Sequence, residues 1–569
     1  MATLQKPHPT AKGIAELFDT SSPLTTPLIQ RSYAWREKEV ADYWRDLSDA
    51  RTRGRYHFLG LIVVDQSRRI HDGQQRLATT YLFIQEIKSQ LERCSPGLTE
   101  EEADDIGPDR LAAALTSALE GKKKKPSMPL MIGKGDQVVL IDPATGISVA
   151  TESAGRLVAA RGSLRAKLVN ELDALPDDSA RVRTLWSWWE FLTEKACVVE
   201  LTVSAQTANS IFETLNKRGV QLSVSDVIKS YLLATLDDSR QDEGVAIWVR
   251  ITSTLRKETA LNEFLLHYWG SHHGQITRAQ LYEALKDQVD DKSSRALVQL
   301  KSYEKDSLLY AALRNPDDSL WIPCRTEVVD AIRLINALQL TQLRYLLLAI
   351  LREYPKGITD AKKRRRSQAE ALRWLGAWAV RGVVTNRTGG KPAETAYISA
   401  AIAVREGAAT RSEDIRAIFV DAGRTVSDSA FKDAFAKASL NATATKLIVY
   451  AFEVKLTGED TPLGPKPRLT REHVLPQSPN WSTSNWKHFS RQEHADYVER
   501  LGNILLLTGV TNRELGNQGW TAKKNVILRK GVLQLPLTEE ALTEPDWTTD
   551  VIDRRQQAMA ELAVELWPS

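Results

Sequence analysis

The hexapeptide HDGQQR, residues 71–76, comes shortly after the apolar run FLGLIVVD and joins an acid, a glycine, two amides and an arginine. Glycine lets the backbone approach a ligand and a helix start offers free amide hydrogens, so this order suits a small anion. Gln74, Gln75 and Arg76 can donate several hydrogen bonds into one concave site, while Asp72 can hold a metal or position water. The plain alternative is a polar turn in which Arg76 pairs with a neighbouring acid. Two other stretches add to the set. QRSYAW puts Gln30, Arg31, Tyr33 and Trp35 just before a helix, and IFETLNKRGVQLS places Asn216, Lys217 and Arg218 on a glycine turn. Together they make the inventory of a nucleotide pocket, with stacking from Tyr33 or Trp35 and phosphate pairing from Arg31, Arg76 and Arg218. No GxxxxGK[ST] occurs, which excludes a P-loop enzyme.

A second group lies near the other end. In LTREHVLPQSPNW, Glu472 and His473 close a short strand before Pro476. Asn503 follows in RLGNILLL, Asn512 in TNRELGN, and then the basic helix TAKKNVILRK, suited to a phosphate backbone. Phosphodiester hydrolysis needs a base to activate water and a cation to stabilise the charge that develops. His473 would deprotonate water, Glu472 and Asn512 would hold Mg²⁺ through oxygens, and Asn503 would orient the histidine. A zinc site fails on spacing, because His488 and His494 are six apart with no cysteine in this region. His272 and His273 read as a polar turn between helices.

These groups need elements to hold them. EKEVADYWRDLSDA reads as an amphipathic helix and YHFLGLIVVD as a strand; residues 94–180 are less regular, with the lysine run GKKKKPSMP as an exposed loop. TLWSWWEFLTEKACVVELTV turns from helix to strand, and Ser223 or Ser225 caps VSDVIKSYLLATL. Residues 240–450 carry 3.6-type periodicity and read as all-helical. There AKKRRRSQ (361–368) is a solvated loop, or alternatively a phosphate-contacting patch.

The composition is that of a folded protein, 42% hydrophobic and 26% charged over 569 residues. With 76 basic against 72 acidic side chains, a net charge of +4 leaves affinity for an acidic polymer to local clusters. Cys94, Cys197 and Cys324 are too scattered for a disulfide framework, and no signal peptide or membrane span is evident, so a cytoplasmic location is expected.

The order QRxYxW, FLGxIV, DGQQRLxTT and FExLNxRGxxLxxxD, over about residues 14–235, resembles the DGQQR-domain family. Its members have a ParB-like fold and include GmrSD-type modification-dependent restriction enzymes and the phosphorothioate-sensing protein SspE. Ala78 departs from the threonine that relatives often carry. The pattern EHVLPQ, LGNILLL and N(x)4N(x)5KK, over about 440–560, is similar to His-Me-finger (HNH) nucleases, with asparagine at the third HNH position.

The resemblance implies a mainly α chain with α+β end domains: a ParB-like nucleotide domain over 1–235, a helical connecting domain over 236–440 and a ββα-metal (HNH-like) nuclease over 441–569. It implies Asp72, Gln75 and Arg76 as the catalytic or nucleotide-contacting core, completed by Gln30, Arg31, Tyr33, Gly73 and Gln74, and closed by Asn216 and Arg218. In the nuclease it implies His473 as base, Asn503 as support, Asn512 and Glu472 as metal ligands, and Lys523 and Lys524 as phosphate contacts. The expected cofactors are Mg²⁺ or Mn²⁺ and a nucleoside triphosphate, GTP favoured. The expected partner is double-stranded DNA carrying phosphorothioate or glucosylated hydroxymethylcytosine, with no membrane and a homodimer left open. The function implied is a modification-dependent endonuclease of anti-phage defence, regulated by NTP binding and hydrolysis. Two alternatives stay open: a nucleotide-switched nuclease acting on unmodified invading DNA, and a nucleotide-dependent DNA-binding regulator with an inactive nuclease site.

Overall fold

The computed structural model describes residues 8–18, 24–25, 33–121, 125–126, 152–203, 223–321, 326–458, 469–481, 484–530 and 535–569. The chain divides into two compact units, residues 1–263 with 278–304, and residues 264–277 with 305–569. Among the described residues helices predominate, and no helix is long and apolar enough to cross a membrane.

In the first unit, β1 (His8–Gly13), β2 (His57–Asp65), β3 (Ile70–Asp72) and β4 (Ala196–Val203) form one sheet in the order β1-β4-β2-β3. β2 and β4 run parallel, His57 opposite Ala196 and Asp65 opposite Val203, while the outer pairs are antiparallel. A parallel pair requires a long crossover. It contains α2 (Gln74–Cys94), α3 (Glu152–Asp173) and α4 (Asp178–Glu190), and α1 (Glu37–Thr52) precedes the sheet's central strand. Burial of Leu77, Leu82, Phe83, Ile84 and Leu91 makes α2 the central helix of the core. Around it Trp44 lies 5.3 Å from Phe83, which lies 5.0 Å from Trp188; Arg51 covers the Trp188 ring at 4.3 Å and pairs with Glu171. The stretch expected to be irregular contains further helices at Glu100–Ile106 and Pro108–Leu119. Local signals explain them: Thr99 and Glu102 form a capping box, Gly107 ends the first helix with φ +69°, and Pro108 opens the second.

The second unit is helical up to residue 458. It includes α5 (Ala361–Val384) and α6 (Ala442–Thr457), and the run expected as a loop forms the first two turns of α5. The Asp360 carboxylate caps that helix, accepting from the Lys362 and Lys363 amides at 2.8 and 2.9 Å. His272 and His273 end a helix, Glu258–His273, instead of lying in a turn, and His272 Nδ1 bonds the Tyr268 carbonyl at 2.8 Å. β5 (Leu469–His473) and β6 (Ile504–Thr508) then pair antiparallel, Leu469 opposite Thr508 and His473 opposite Ile504. Behind the hairpin come α7 (Gly509–Leu515), α8 (Trp520–Lys530), α9 (Pro536–Thr543) and α10 (Thr549–Leu566). Val474, Leu475, Leu505, Leu507, Trp520, Ile527, Trp547 and Ile552 form the core beneath the hairpin.

Candidate functional site

At the first group the chain must pass from β3 into α2 within one residue. Gly73 does so with φ +91°, where any side chain is strained, and a Cβ there would lie 2.2 Å from Ile62 Cδ1 and force that side chain to shift. This turn puts Gln74 and Gln75, both buried, on the first turn of α2. Gln75 Oε1 accepts from the Ala34 amide at 2.7 Å and so ties the chain at Ala34 to the helix. Tyr33 is 2% exposed; its hydroxyl shares a 2.8 Å hydrogen bond with Thr79 Oγ1, as Tyr43 does with Thr80 Oγ1 at 2.7 Å. Its ring is therefore part of the core, and Trp35, half-buried 5.7 Å from Tyr43, is the aromatic with an open side. Arg76 turns back onto the sheet. Its guanidinium donates to the carbonyls of Leu59 and, at 2.8 Å, Leu61, and lies 3.4 Å from Asp72 Oδ2. At the end of β2, Asp65 is 2% exposed and accepts from the Ser67 and Arg69 amides and Arg69 Nε, with His71 Nε2 at 3.1 Å. Burial alone would raise the Asp65 carboxyl, but these bonds hold it below its usual range, whereas burial lowers His71 despite the acid beside it.

At the second group, alternation along β5 gives Thr470 and Glu472 one face and Arg471 and His473 the other. On the first face Asn512 Nδ2 donates to Thr470 Oγ1 at 3.0 Å and to the Arg471 carbonyl at 2.6 Å, pinning α7 to the strand. Glu472 pairs there with Lys523 at 2.5 Å, and the Lys523 ammonium also donates to the carbonyls of His473 (2.8 Å) and Val474 (3.1 Å). Both are buried, Lys523 to 1% exposure, and burial pushes Glu472 up and Lys523 down against their mutual attraction. On the other face His473 Nε2 lies 3.3 Å from Glu499 Oε1, near enough for charge pairing but not aligned as a hydrogen bond. Gln477 Nε2 donates to the same carboxylate at 2.6 Å, and Arg471 lies 3.4 Å from it. Burial lowers His473 while Glu499 opposes, so the imidazole tends to its neutral form, as a base requires. The Glu499 carboxylate, 40% exposed, is lowered: burial works against it, but Gln477, His473 and Arg471 outweigh that.

Two family matches bear on this arrangement. The N-terminal domain of GmrSD restriction endonuclease matches residues 14–233, and the C-terminal domain of GmrSD restriction endonucleases matches residues 425–562. The chain belongs to the GmrSD restriction endonuclease family. Its role is therefore that of a type IV restriction endonuclease, with DNA as substrate. No curated protein matches the chain.

In this GmrSD chain the structure brings Tyr33, Asp72, Gly73, Gln74, Gln75 and Arg76 together at the start of α2. Gln30, Arg31, Asn216 and Arg218 lie outside the described residues. In the C-terminal domain Glu472, His473, Asn503, Asn512 and Lys523 converge on the hairpin, but Asn503, Glu472 and Lys523 make other contacts than those expected. Asn503 is fully buried and touches no imidazole. Its Oδ1 accepts from the Leu475 amide (2.8 Å) and Trp547 Nε1 (2.9 Å), and its Nδ2 donates to the carbonyls of Leu475 (3.0 Å) and Val498 (2.9 Å). It fixes the backbone just after His473. Lys523, expected on a phosphate, points into the protein, and Lys524 donates to the Glu544 carbonyl at 3.2 Å.

The donor set also tests the implied metal. A hard cation takes several oxygens; Glu472 is held by an ammonium, while Asn512 spends its Nδ2 donors on β5 and its Oδ1, the atom a cation would take, makes neither of those bonds. Among the described residues no group of three or more His, Cys, Asp or Glu side chains could hold an ion. In this arrangement the Glu472 carboxylate, already neutralised by Lys523, does not fit a divalent cation, whereas Asn512 keeps its Oδ1 to offer.

Nothing in the sequence marks Glu499, the acid beside His473, or Gln477, which donates to that acid, or the pairing of Asp65 with His71. An acid in YVERLGN has no spacing that marks it, and only the return of the chain to β5 reveals it.

Proposed function

We propose that the protein is a modification-dependent DNA endonuclease of anti-phage defence, in which a nucleoside triphosphate held at the start of α2 regulates cleavage at the β5–β6 hairpin. The observation that carries the cleavage half is the imidazole of His473 at the end of β5, lowered by burial and set against Glu499. In that reading His473 takes a proton from water, the new oxygen–phosphorus bond forms, and the bond to the departing deoxyribose oxygen breaks, that oxygen taking a proton from solvent, to which the imidazolium afterwards returns its own. Glu499 stabilises the imidazolium formed in the step. The regulatory half is supported by the inward-turned amides of Gln74 and Gln75 and by Asp72 at the glycine turn, with Arg76 as the group that fixes the turn to the sheet. Nucleotide can gate the enzyme only if its occupied and empty states bind with different affinity.

The test is cleavage of matched plasmids, unmodified, phosphorothioated or glucosylated, with each nucleoside triphosphate, in Mg²⁺ or in chelator, by wild type, Asp72→Asn and His473→Ala. Cleavage confined to modified plasmid, altered by nucleotide in wild type but not in Asp72→Asn, and absent in His473→Ala, supports the reading. Equal cleavage of all plasmids would sink the sensing half; full activity in His473→Ala would sink the cleavage half.

A further inference from the structure

The start of α5 carries a charge arrangement that the fold does not use. Lys362, Lys363, Arg364, Arg365 and Arg366 are consecutive and all exposed. Arg366 lies 3.3 Å from Glu370; the other four have no acidic partner among the described residues. Helix electrostatics work against them, because the first turns present unpaired N–H groups and a positive dipole end. Asp360 offsets only part of that through the Lys362 and Lys363 amides. The same helix is firmly seated further on, where Leu372, Leu375, Trp378 and Val380 are buried. The cations are thus displayed on a rigid post belonging to the unit that carries the β5–β6 hairpin.

We propose that this post is a contact surface for the phosphate backbone of duplex DNA, separate from the cleavage site. The proposal rests on DNA being the substrate. Charge density favours it over an acidic protein. At about 1.5 Å rise per residue the five cations span about 6 Å of axis, close to the duplex's one charge per roughly 1.7 Å. Successive side chains turn by about 100°, so the cations surround the post, which suits a tip entering between phosphate strands better than a stripe lying along a flat surface.

The experiment measures binding of the full chain to a short labelled duplex, checked to be intact after each titration, between about 50 and 200 mM salt. The variant is Lys362→Gln/Lys363→Gln/Arg364→Gln/Arg365→Gln; Arg364→Gln/Arg365→Gln is the reserve should the first fold poorly. Each lost phosphate contact lowers the slope of log affinity against log salt by about 0.9, so the quadruple variant should lose about 3.6 and the double about 1.8. Lys292→Gln/Arg295→Gln, whose cations pair with Asp290, should leave the slope unchanged. An unchanged slope in the quadruple variant overturns the proposal. So does displacement of the duplex by polyglutamate of equal charge, which would make the post a protein-docking surface. Plasmid cleavage run beside it separates the two readings. Wild type that binds steeply but never cuts refutes the nuclease reading alone, and wild type that cuts while the variant keeps its slope refutes this one alone.

Discussion

Asn503→Ala distinguishes a residue that builds the site from one that works in it. The side chain is fully buried and uses all four of its hydrogen-bonding positions, on the Leu475 amide and carbonyl, the Val498 carbonyl and the Trp547 indole. Truncation strands two buried donors, the Leu475 N–H and the Trp547 Nε1–H, at about 1–3 kcal/mol each, and leaves two carbonyls short of a partner. The expected loss is about 4 kcal/mol, in the upper tail of single substitutions. In urea that moves the unfolding midpoint by roughly 1 M or more. Far-UV circular dichroism and tryptophan fluorescence would follow the transition, with plasmid cleavage measured per folded molecule. Asn503→Asp should be at least as damaging, since it retains the acceptors but sets a buried negative charge against the Leu475 and Val498 carbonyls. A variant as stable as wild type within about 1 kcal/mol but as inactive as His473→Ala would refute the reasoning, because it would put Asn503 on the substrate.

Three further outcomes follow from the same physics. Lys523→Met and Glu472→Gln should each cost about 3–5 kcal/mol by leaving one buried group uncompensated, and the double variant should recover most of it; additive losses in a double-mutant cycle would show that the pair is not coupled. Glu453 is buried with Oε2 accepting from the Leu537 amide at 3.0 Å, and burial pushes its carboxyl up to about 7. A raised carboxyl gives stability that is present in full below its unfolded value near 4.5 and lost as pH rises through 7, on the order of 3 kcal/mol. Relative to Glu453→Gln, wild type should therefore weaken between pH 5 and pH 8 in urea titrations, and parallel curves would dismiss the claim. Gly60 has φ +101° and a Cβ there would lie 2.3 Å from Arg76 Nη1, whereas Gly54, at φ +62°, has open space. Gly54→Ala should cost about 1–2 kcal/mol of backbone strain, and Gly60→Ala clearly more by also dislodging Arg76; equal melting shifts would contradict this.

What could be read from the sequence was periodic and local. β2, β4, α1, the helical middle and the short strand before Pro476 follow from apolar spacing, branched residues and breakers, and Ser223 caps its helix as its position suggests. The run at 361–366 reads as a loop because five like charges argue against a helix start. The cap at Asp360 and the buried face from Ala369 onward outweigh them. Lys523 reads as one more cation of a basic helix because its partner Glu472 is 51 positions away, and no local pattern announces a pair closed by tertiary folding. Tyr33 looks like a stacking platform until Thr79, a residue of another motif, is seen to hold its hydroxyl.

The adjacency of Glu472 and His473 shows where reading residue types along a chain stops being a guide to chemistry. Side by side in sequence, an acid and a histidine suggest one centre, with the acid on a metal and the histidine on water. A strand turns consecutive side chains to opposite faces, and here it sends Glu472 to Lys523 and His473 to Glu499. The first pair is buried and ties α8 to the strand, and the second, with a carboxylate 40% exposed, lies at a rim that solvent can reach. The acid able to serve the histidine is therefore Glu499, brought from the connection between β5 and β6, and removing its charge should change turnover. Removing that of Glu472 should change stability first. Glu499→Gln and Glu472→Gln, compared by cleavage rate and by unfolding, separate these roles. Loss of turnover without loss of stability in Glu472→Gln would return that residue to the reacting centre.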